Sequence, residues 1–220
     1  NGAMHSSAGE IDKVKPYYQQ GGGATPTNLL RYPGGKSRLL GSLQKHIARG
    51  DMFGPSWYVE PFVGGGAVLR HVLDVGNFPN LLINDIDKEL MALWRSVRDS
   101  PERLISVVTS WIPNVDDWYM FKSLDDSATA SDTDDTTRGF RKLALHFCSH
   151  GGLGVMAGGP QGGREQKSEY KVDCRWNTTR MARTIVWFSK RIQGAVITSR
   201  DFSELKFPAS DAFVFCDPPY

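Results

Sequence analysis

The chain closes on the stretch Ala212-Phe213-Val214-Phe215-Cys216-Asp217-Pro218-Pro219-Tyr220. Its first five residues are apolar and rich in β-formers, which predicts one fully buried strand with Cys216 in the core. A carboxylate, two prolines and an aromatic ring then follow at the carboxyl end of that strand, where open α/β sheets bind their ligands. Taken alone, 217–220 is explained equally well as a Pro-Pro turn with a capping Asp, so its interpretation depends on the residues upstream.

The side chains of 217–220 suit the recognition of an aromatic amine. An ionised Asp217 accepts a hydrogen bond from an exocyclic NH2 group, and a carbonyl of the Pro-Pro segment, such as that of Pro218, accepts a second. The ring of Tyr220 offers a face on which a planar base stacks.

Length and composition restrict the class of protein. The 220 residues are 40% hydrophobic and 23% charged, which is enough for one large domain with a buried core. A net charge of +2 permits a nucleic-acid partner without requiring one. The three cysteines have no metal-ligand spacing, and neither a signal-peptide pattern nor an apolar run of about 18 residues is present. We therefore expect a soluble, cytoplasmic protein without a membrane span.

Two glycine-rich turns precede predicted helices. In Tyr32-Pro33-Gly34-Gly35-Lys36 the backbone N–H groups and the lysine make a site for a carboxylate or phosphate, with a simple turn and an exposed lysine as the alternative. This turn is not a Walker loop, because Leu30 stands where that pattern needs glycine. In Glu60-Pro61-Phe62-Val63-Gly64-Gly65-Gly66 a predicted strand enters a turn whose glycines let the backbone approach a ligand closely.

Acidic residues follow two further predicted strands. Asn84-Asp85-Ile86-Asp87 comes after the strand 81–83, about twenty residues beyond the glycines, where an acid can bind ribose hydroxyls. Asp87 is better explained as the N-cap of the next helix. Asp201-Phe202 follows another predicted strand. Strands that end in a glycine turn or an acid converge on one crevice.

The region between these motifs is mostly helical. Residues 88–124, 138–150 and 178–191 repeat apolar side chains at three-to-four spacing. Residues 125–136 are small and acidic, which predicts a solvated loop. The glycine-rich segment 151–168 cannot be an α-helix, and it suits a mobile loop or hairpin that becomes ordered on a partner.

Two histidines, His146 and His150, lie four residues apart, as metal ligands can. No HExxH pattern or suitably spaced carboxylate accompanies them, so packing or loop functions are favoured and no metal is expected.

Taken in order, and together with Arg175-Trp176-Asn177, these motifs resemble the Dam-type N6-adenine DNA methyltransferases over residues 29–220. The resemblance implies an α/β fold: a Rossmann-like class I methyltransferase sheet that binds S-adenosylmethionine, with an inserted, mostly helical target-recognition region. The expected units are a flexible leader whose first residues are interpreted as a tag remnant, a catalytic domain in two segments, and the inserted region between them. The leader spans 1–27, the two segments of the catalytic domain span 28–100 and 193–220, and the inserted region spans 101–192.

The resemblance also implies the site residues. The catalytic set is Asp217, Pro218, Pro219 and Tyr220. The cofactor-binding set is Tyr32, Gly34, Gly35, Lys36, Glu60, Pro61, Phe62, Gly64, Gly65, Gly66, Asp85, Ile86, Asp201 and Phe202. Within it, Lys36 would contact the methionine carboxylate, Asp85 the ribose hydroxyls, and Asp201 with Phe202 the adenine of the cofactor. The expected contacts to the DNA backbone are Arg164, Lys167, Lys171, Arg175, Asn177 and Arg180.

The implied activity is methyl transfer from S-adenosylmethionine to an adenine rotated out of double-stranded DNA, as in restriction-modification or phage systems. Asp217, where many enzymes that methylate the cytosine amine carry Ser, favours adenine. Members of this family continue beyond the motif 217–220, so we expect either a longer protein or a second polypeptide that completes the sheet, and weak activity of the 220 residues alone. Two alternatives stay open: a non-catalytic nucleic-acid-binding module that keeps the fold, and methylation of RNA or protein.

Overall fold

Four parallel strands form the sheet of the described fold. The computed structural model describes residues 15–18, 27–30, 41, 54–76, 78–125, 133–207 and 211–218. The strands are Trp57–Glu60 (β1), Asn80–Asn84 (β2), Val196–Thr198 (β3) and Ala212–Val214 (β4). Their order is β3-β2-β1-β4, and every pair is parallel. The predicted Rossmann-like α/β class is thereby confirmed.

Helices connect and cover these strands. They span Ala67–Val75 (α1), Lys88–Asp99 (α2), Pro101–Ser110 (α3), Val115–Asp125 (α4), Asp135–Cys148 (α5) and Thr178–Ser189 (α6). Short 3-10 turns occupy His150–Gly152, Gly154–Met156 and Phe202–Glu204. None of the helices in the described ranges combines the length and apolar character that crossing a bilayer requires.

Helix α5 begins three residues earlier than its apolar spacing predicts. The side chain of Asp134 accepts hydrogen bonds from the backbone N–H groups of Thr136 and Thr137, which is an N-cap. The predicted solvated loop 125–136 therefore ends at this cap, and its part 126–132 lies outside the described residues.

The register of the strands brings their carboxyl ends to one edge. Glu60 of β1 lies opposite Ile83 of β2, and Val59 lies opposite Val214 of β4. Tyr58, Val59 and Glu60 are all buried, as is typical of a central strand in a parallel sheet. The residues that follow β1, β2 and β4 are consequently neighbours in space.

Strand β4 is not the fully buried strand that its apolar residues predict. Its residues are half-buried or exposed, with Val214 40% exposed, and Cys216 is also exposed instead of lying in the core. β4 lies at the edge of the sheet, and β1 is its partner strand among the described residues. The prediction was wrong because an apolar run does not distinguish a central strand from an edge strand.

Helix α2 packs against α5 and α6 and forms the centre of the helical layer. Leu90, Leu93, Trp94 and Val97 are fully buried on it, as their spacing predicts. Trp94 meets Phe188 of α6 edge-on, with 5.0 Å between ring centroids. Burial of each of these side chains contributes about 1.5–3 kcal/mol, so this layer fixes α2 and the strand end that precedes it.

Residues 15–18 form a helical turn that the composition of the leader does not predict. The hydroxyl of Tyr18 donates a hydrogen bond of 2.7 Å to Glu102 Oε1 on α3. The ammonium group of Lys190 lies 5.3 Å from the centroid of the Tyr18 ring. These contacts join this part of the chain to the helical layer.

The contact between α5 and α2 depends on Gly139. A methyl group at this position would stand 2.6 Å from Leu93 Cα, a backbone atom that cannot rotate away. We expect Gly139→Ala to lower the free energy of unfolding by about 1–3 kcal/mol, although alanine favours helix by about 1 kcal/mol. Urea denaturation measures the change, and Gly158→Ala is the control because its methyl group would meet open space. Equal stability of the two variants would contradict the close approach.

Candidate active site

The glycine turn 61–66 connects β1 to α1. Hydrogen bonds from its backbone groups to side chains of other elements fix its position. The N–H of Gly64 donates to Asp85 Oδ2 at 3.1 Å, and its carbonyl accepts from Trp94 Nε1 at 3.0 Å. Gly66 has a φ of 76°, in the left-handed region, and a Cβ there would stand 2.6 Å from the Trp94 ring. Glycine is therefore required at residue 66 both by conformation and by packing.

The segment 27–30 lies directly against this turn. The N–H of Leu30 donates to the carbonyl of Gly65 at 3.3 Å, and a Cβ on Gly65 would stand 2.2 Å from the Leu30 carbonyl oxygen. The predicted cofactor residues that follow in the sequence lie outside the described residues. These are Tyr32, Gly34, Gly35 and Lys36.

Asn84, at the end of β2, joins three strand ends. Its side-chain amide donates to the carbonyls of Pro61 and Arg200, both at 3.0 Å. Its oxygen accepts from the Thr198 hydroxyl at 2.7 Å and from the Arg200 N–H at 3.0 Å. All four hydrogen bonds are made by a side chain that is 1% exposed. This function of Asn84 was not predicted from the sequence; its signal there is an amide residue at the end of a buried strand.

Asp85 presents a half-buried carboxylate at the same edge. Its Oδ2 accepts from Gly64 and its Oδ1 from the N–H of Asp87 at 3.1 Å. Burial raises the pKa of Asp85, while these two amide donors and the charge of Lys142 act in the opposite direction. Asp87 caps α2, as predicted, and accepts from the N–H of Leu90 at 2.9 Å.

Two aromatic rings lie at the ends of β1 and β3. The rings of Phe62 and Phe202 have centroids 5.6 Å apart, and Phe202 is 57% exposed. Asp201 is exposed and accepts from the N–H of Ser203 at 2.9 Å, and hydrogen bonds from Ser203 lower its pKa. Ile86 is 67% exposed. An exposed aromatic and an exposed apolar side chain offer faces on which a planar heterocycle can pack.

Glu60 is the most buried acid of the site, with 2% exposure. Burial raises the pKa of Glu60 to about 8; the hydrogen bond from the Tyr58 hydroxyl, of 2.7 Å, opposes the rise, and the charges of Asp217 and Asp85 add to it. Burial thus favours the protonated form of Glu60. Glu60 ends β1, Asp85 follows β2 and Asp217 follows β4, so the parallel register brings these three carboxyl groups to the same edge of the sheet.

The segment after β4 brings Asp217 to the sheet edge at which β1 and β2 end. The N–H of Phe215 donates to the Val59 carbonyl at 2.9 Å, which continues the pairing with β1 beyond β4. Asp217 is half-buried and Pro218 is exposed. Pro219 and Tyr220 lie outside the described residues.

The six predicted DNA contacts lie between residues 164 and 180, and all are exposed except Arg175, which is half-buried. The Arg164 guanidinium stands 4.6 Å from the centroid of the Tyr119 ring. Arg175 donates to the Ser149 carbonyl at 3.3 Å, and Asn177 caps α6. These contacts give Arg175 and Asn177 structural functions. The exposed basic residues Lys167, Lys171 and Arg180, together with Arg164, stay predicted DNA contacts.

The glycine-rich segment after α5 is a loop closed at its base. Ser149 and Pro160 form an antiparallel bridge, flanked by hydrogen bonds from the His150 N–H to the Gly159 carbonyl and from the Gln161 N–H to the Cys148 carbonyl. The loop is not α-helical, as its glycine content predicts. In the part of the chain that the structure describes, no cluster of three or more His, Cys, Asp or Glu side chains could hold a metal ion.

Comparisons with known proteins agree on one family. The profile described as D12 class N6 adenine-specific DNA methyltransferase matches residues 32–220. Type II methyltransferase M.MjaIII of Methanocaldococcus jannaschii is 26% identical over 205 residues, which cover 87% of this chain and 68% of that protein. The DNA adenine methylases of Haemophilus influenzae and Escherichia coli K12 are 26% and 23% identical, each over 87% of this chain. The chain spans 63% and 64% of their respective lengths.

The raised pKa of Glu60 makes stability depend on pH. Between the ordinary value of 4.5 and about 8, the folded chain binds a proton at Glu60 that the unfolded chain does not, so the free energy of unfolding falls as pH rises through this window. Glu60→Gln keeps an acceptor for Tyr58 and removes the titration. We expect it to reduce the slope by up to about 1.4 kcal/mol per pH unit in urea denaturation between pH 5 and 8. Glu204→Gln is the control because Glu204 is exposed. A slope for Glu60→Gln equal to that of the wild type would refute the raised pKa of Glu60.

The buried amide of Asn84 allows a second test. Asn84→Asp replaces a donor to two carbonyls with a carboxylate that repels them, so we expect the free energy of unfolding to fall by about 2–4 kcal/mol at pH 7. Asn80→Asp is the matched control, because Asn80 lies at the exposed start of the same strand and donates to the Ser56 carbonyl. Comparable losses in the two variants would contradict the function assigned to Asn84.

Proposed function

Because the chain belongs to the D12 class N6 adenine-specific DNA methyltransferase family, we propose that it transfers a methyl group from S-adenosylmethionine to the N6 amino group of an adenine at a specific site in double-stranded DNA. The observation that carries the proposal is the position of Asp217. It follows β4 at the same edge of the parallel sheet as Glu60, which ends β1, and Asp85, which follows β2. The proposed donor and acceptor sites would then be adjacent.

The residues at this edge fit S-adenosylmethionine by their chemistry. Each oxygen of Asp85 accepts one amide hydrogen bond and retains a lone pair for a ribose hydroxyl. The pair Phe62 and Phe202 offers a face for the adenine of the cofactor. Tyr32, Gly34, Gly35 and Lys36 stay the predicted contacts of the methionine end. When bound, the cofactor supplies a methyl group that is already activated as a sulfonium.

Asp217 and Pro218 would hold the target amine. The carboxylate of Asp217 and the Pro218 carbonyl accept its two hydrogens, which directs the nitrogen lone pair toward the donor. Burial favours the protonated form of Glu60, which reduces the negative charge that Asp217 faces on that side. Most of the acceleration then comes from positioning.

An adenine inside a duplex cannot reach Asp217, so the base must rotate out of the stack at a cost of a few kcal/mol. The exposed basic side chains of 164–180 supply contacts to phosphates that would repay this cost. They follow the closed loop after α5 and stand on the predicted target-recognition region. The recognised sequence would be read by side chains of that region.

Labelled S-adenosylmethionine tests the proposal. We expect duplex DNA incubated with the chain to become labelled, and Asp217→Ala to lower the rate by roughly 100-fold or more, because the amine loses its charged acceptor. Asp211→Ala is the control, since Asp211 is exposed at the opposite end of β4 and accepts from the Ser56 N–H. DNA binding without label, even from the full-length protein, would favour a non-catalytic binding module, and label in RNA or protein alone would redirect the proposal to another acceptor.

A further inference from the structure

Lys142 is a charged residue in an unusual place. It lies in the middle of α5, in the predicted target-recognition region, and is only 7% exposed. Its Nζ stands 2.5 Å from Asp87 Oδ2, between β2 and α2. Lysine is rarely buried without a specific partner, and here that partner is next to the site.

Asp87 connects this lysine with the acid of the cofactor site. One oxygen of Asp87 caps α2 by accepting from Leu90, and the other is paired with Lys142. The N–H of Asp87 donates to Asp85 Oδ1, and Gly64 holds the other oxygen of Asp85. The orientation of the Asp85 carboxylate therefore depends on the position of Asp87.

We propose that Lys142 is a positioning residue for S-adenosylmethionine: by pairing with Asp87, it holds Asp85 in the orientation that accepts the ribose hydroxyls. The inference rests on the proposed function. Without the ammonium group, the carboxylate of Asp87 would stand uncompensated near that of Asp85, and repulsion would turn the two groups apart. The charge of Lys142 also lowers the pKa of Asp85, against the larger rise caused by burial.

Arg138 provides a control that distinguishes positioning of Asp85 from simple packing of α5 on α2. It lies about one turn earlier on α5, is similarly buried, and pairs with Glu89 of α2 at 2.7 Å. Its other ion pair is with Asp135 at 3.8 Å, on its own helix. Both cations thus join α5 to the start of α2, but the pair of Lys142 is with the residue that donates to Asp85.

Calorimetric titration of the full chain with S-adenosylmethionine tests the inference. We expect Lys142→Met to raise the Kd by a factor of about 3 to 30, the range found for residues that act on a site through a neighbour. Lys142→Arg should restore most of the affinity because it keeps the charge. Arg138→Met should leave the Kd unchanged while its thermal stability falls as much as that of Lys142→Met.

Two further measurements distinguish positioning from loss of structure. In the methylation assay, Lys142→Met should raise KM for S-adenosylmethionine by the same factor as Kd, with KM for DNA and kcat changed by less than about twofold. Asp87→Asn keeps a good N-cap but removes the paired charge, so Lys142→Met should weaken binding no further in that background.

The measurements distinguish failure of this inference from failure of the proposed function. A wild-type chain that binds no S-adenosylmethionine would overturn the proposed function and this inference together. A wild-type chain that binds it, with a Lys142→Met variant of equal affinity, would overturn the inference alone. Equal weakening by Arg138→Met would also overturn it, because helix packing would then explain the effect.

Discussion

The crowding of three carboxyl groups at one sheet edge is the constraint on which the site depends. Parallel pairing of β1 with β2 and β4 makes their ends coincide, so Glu60, Asp85 and Asp217 lie at the same edge. Like charges in a half-buried place repel strongly. The fold accommodates them because burial favours the protonated form of Glu60 and because Asp85 accepts hydrogen bonds from two backbone amides. The remaining negative charge suits a cationic ligand such as a sulfonium.

Asn84 makes this edge rigid. A carboxylate cluster on independent loops could relax by moving apart, but the Asn84 amide ties the glycine turn to the end of β3 through four hydrogen bonds. The turn is held from the other side by Trp94, whose indole N–H donates to Gly64 and whose ring packs on Phe188. The geometry of the site is therefore supported by the sheet and by the helical core.

Local signals in the sequence predicted much of this arrangement. Glycine spacing located the turn at 64–66, apolar periodicity located α2, and an acid after a strand located Asp85. The exposure of Cys216 could not be predicted, because the burial of a strand depends on its neighbours in the sheet. Asn84 and Lys142 were missed because their partners are distant in sequence and no local pattern identifies them.

The sheet topology also sets the order in which the site can form. β2 follows β1 after a single helix, whereas β4 returns to β1 from far along the chain; the hydrogen bond from Ser56 to Asp211 joins residues 155 positions apart. During synthesis, Glu60 and Asp85 emerge early, and Asp217 emerges only after helices α2 to α6. Closing so long a loop makes the pairing of β4 with β1 a slow step of folding, and Asp217 takes its place only when that pairing forms.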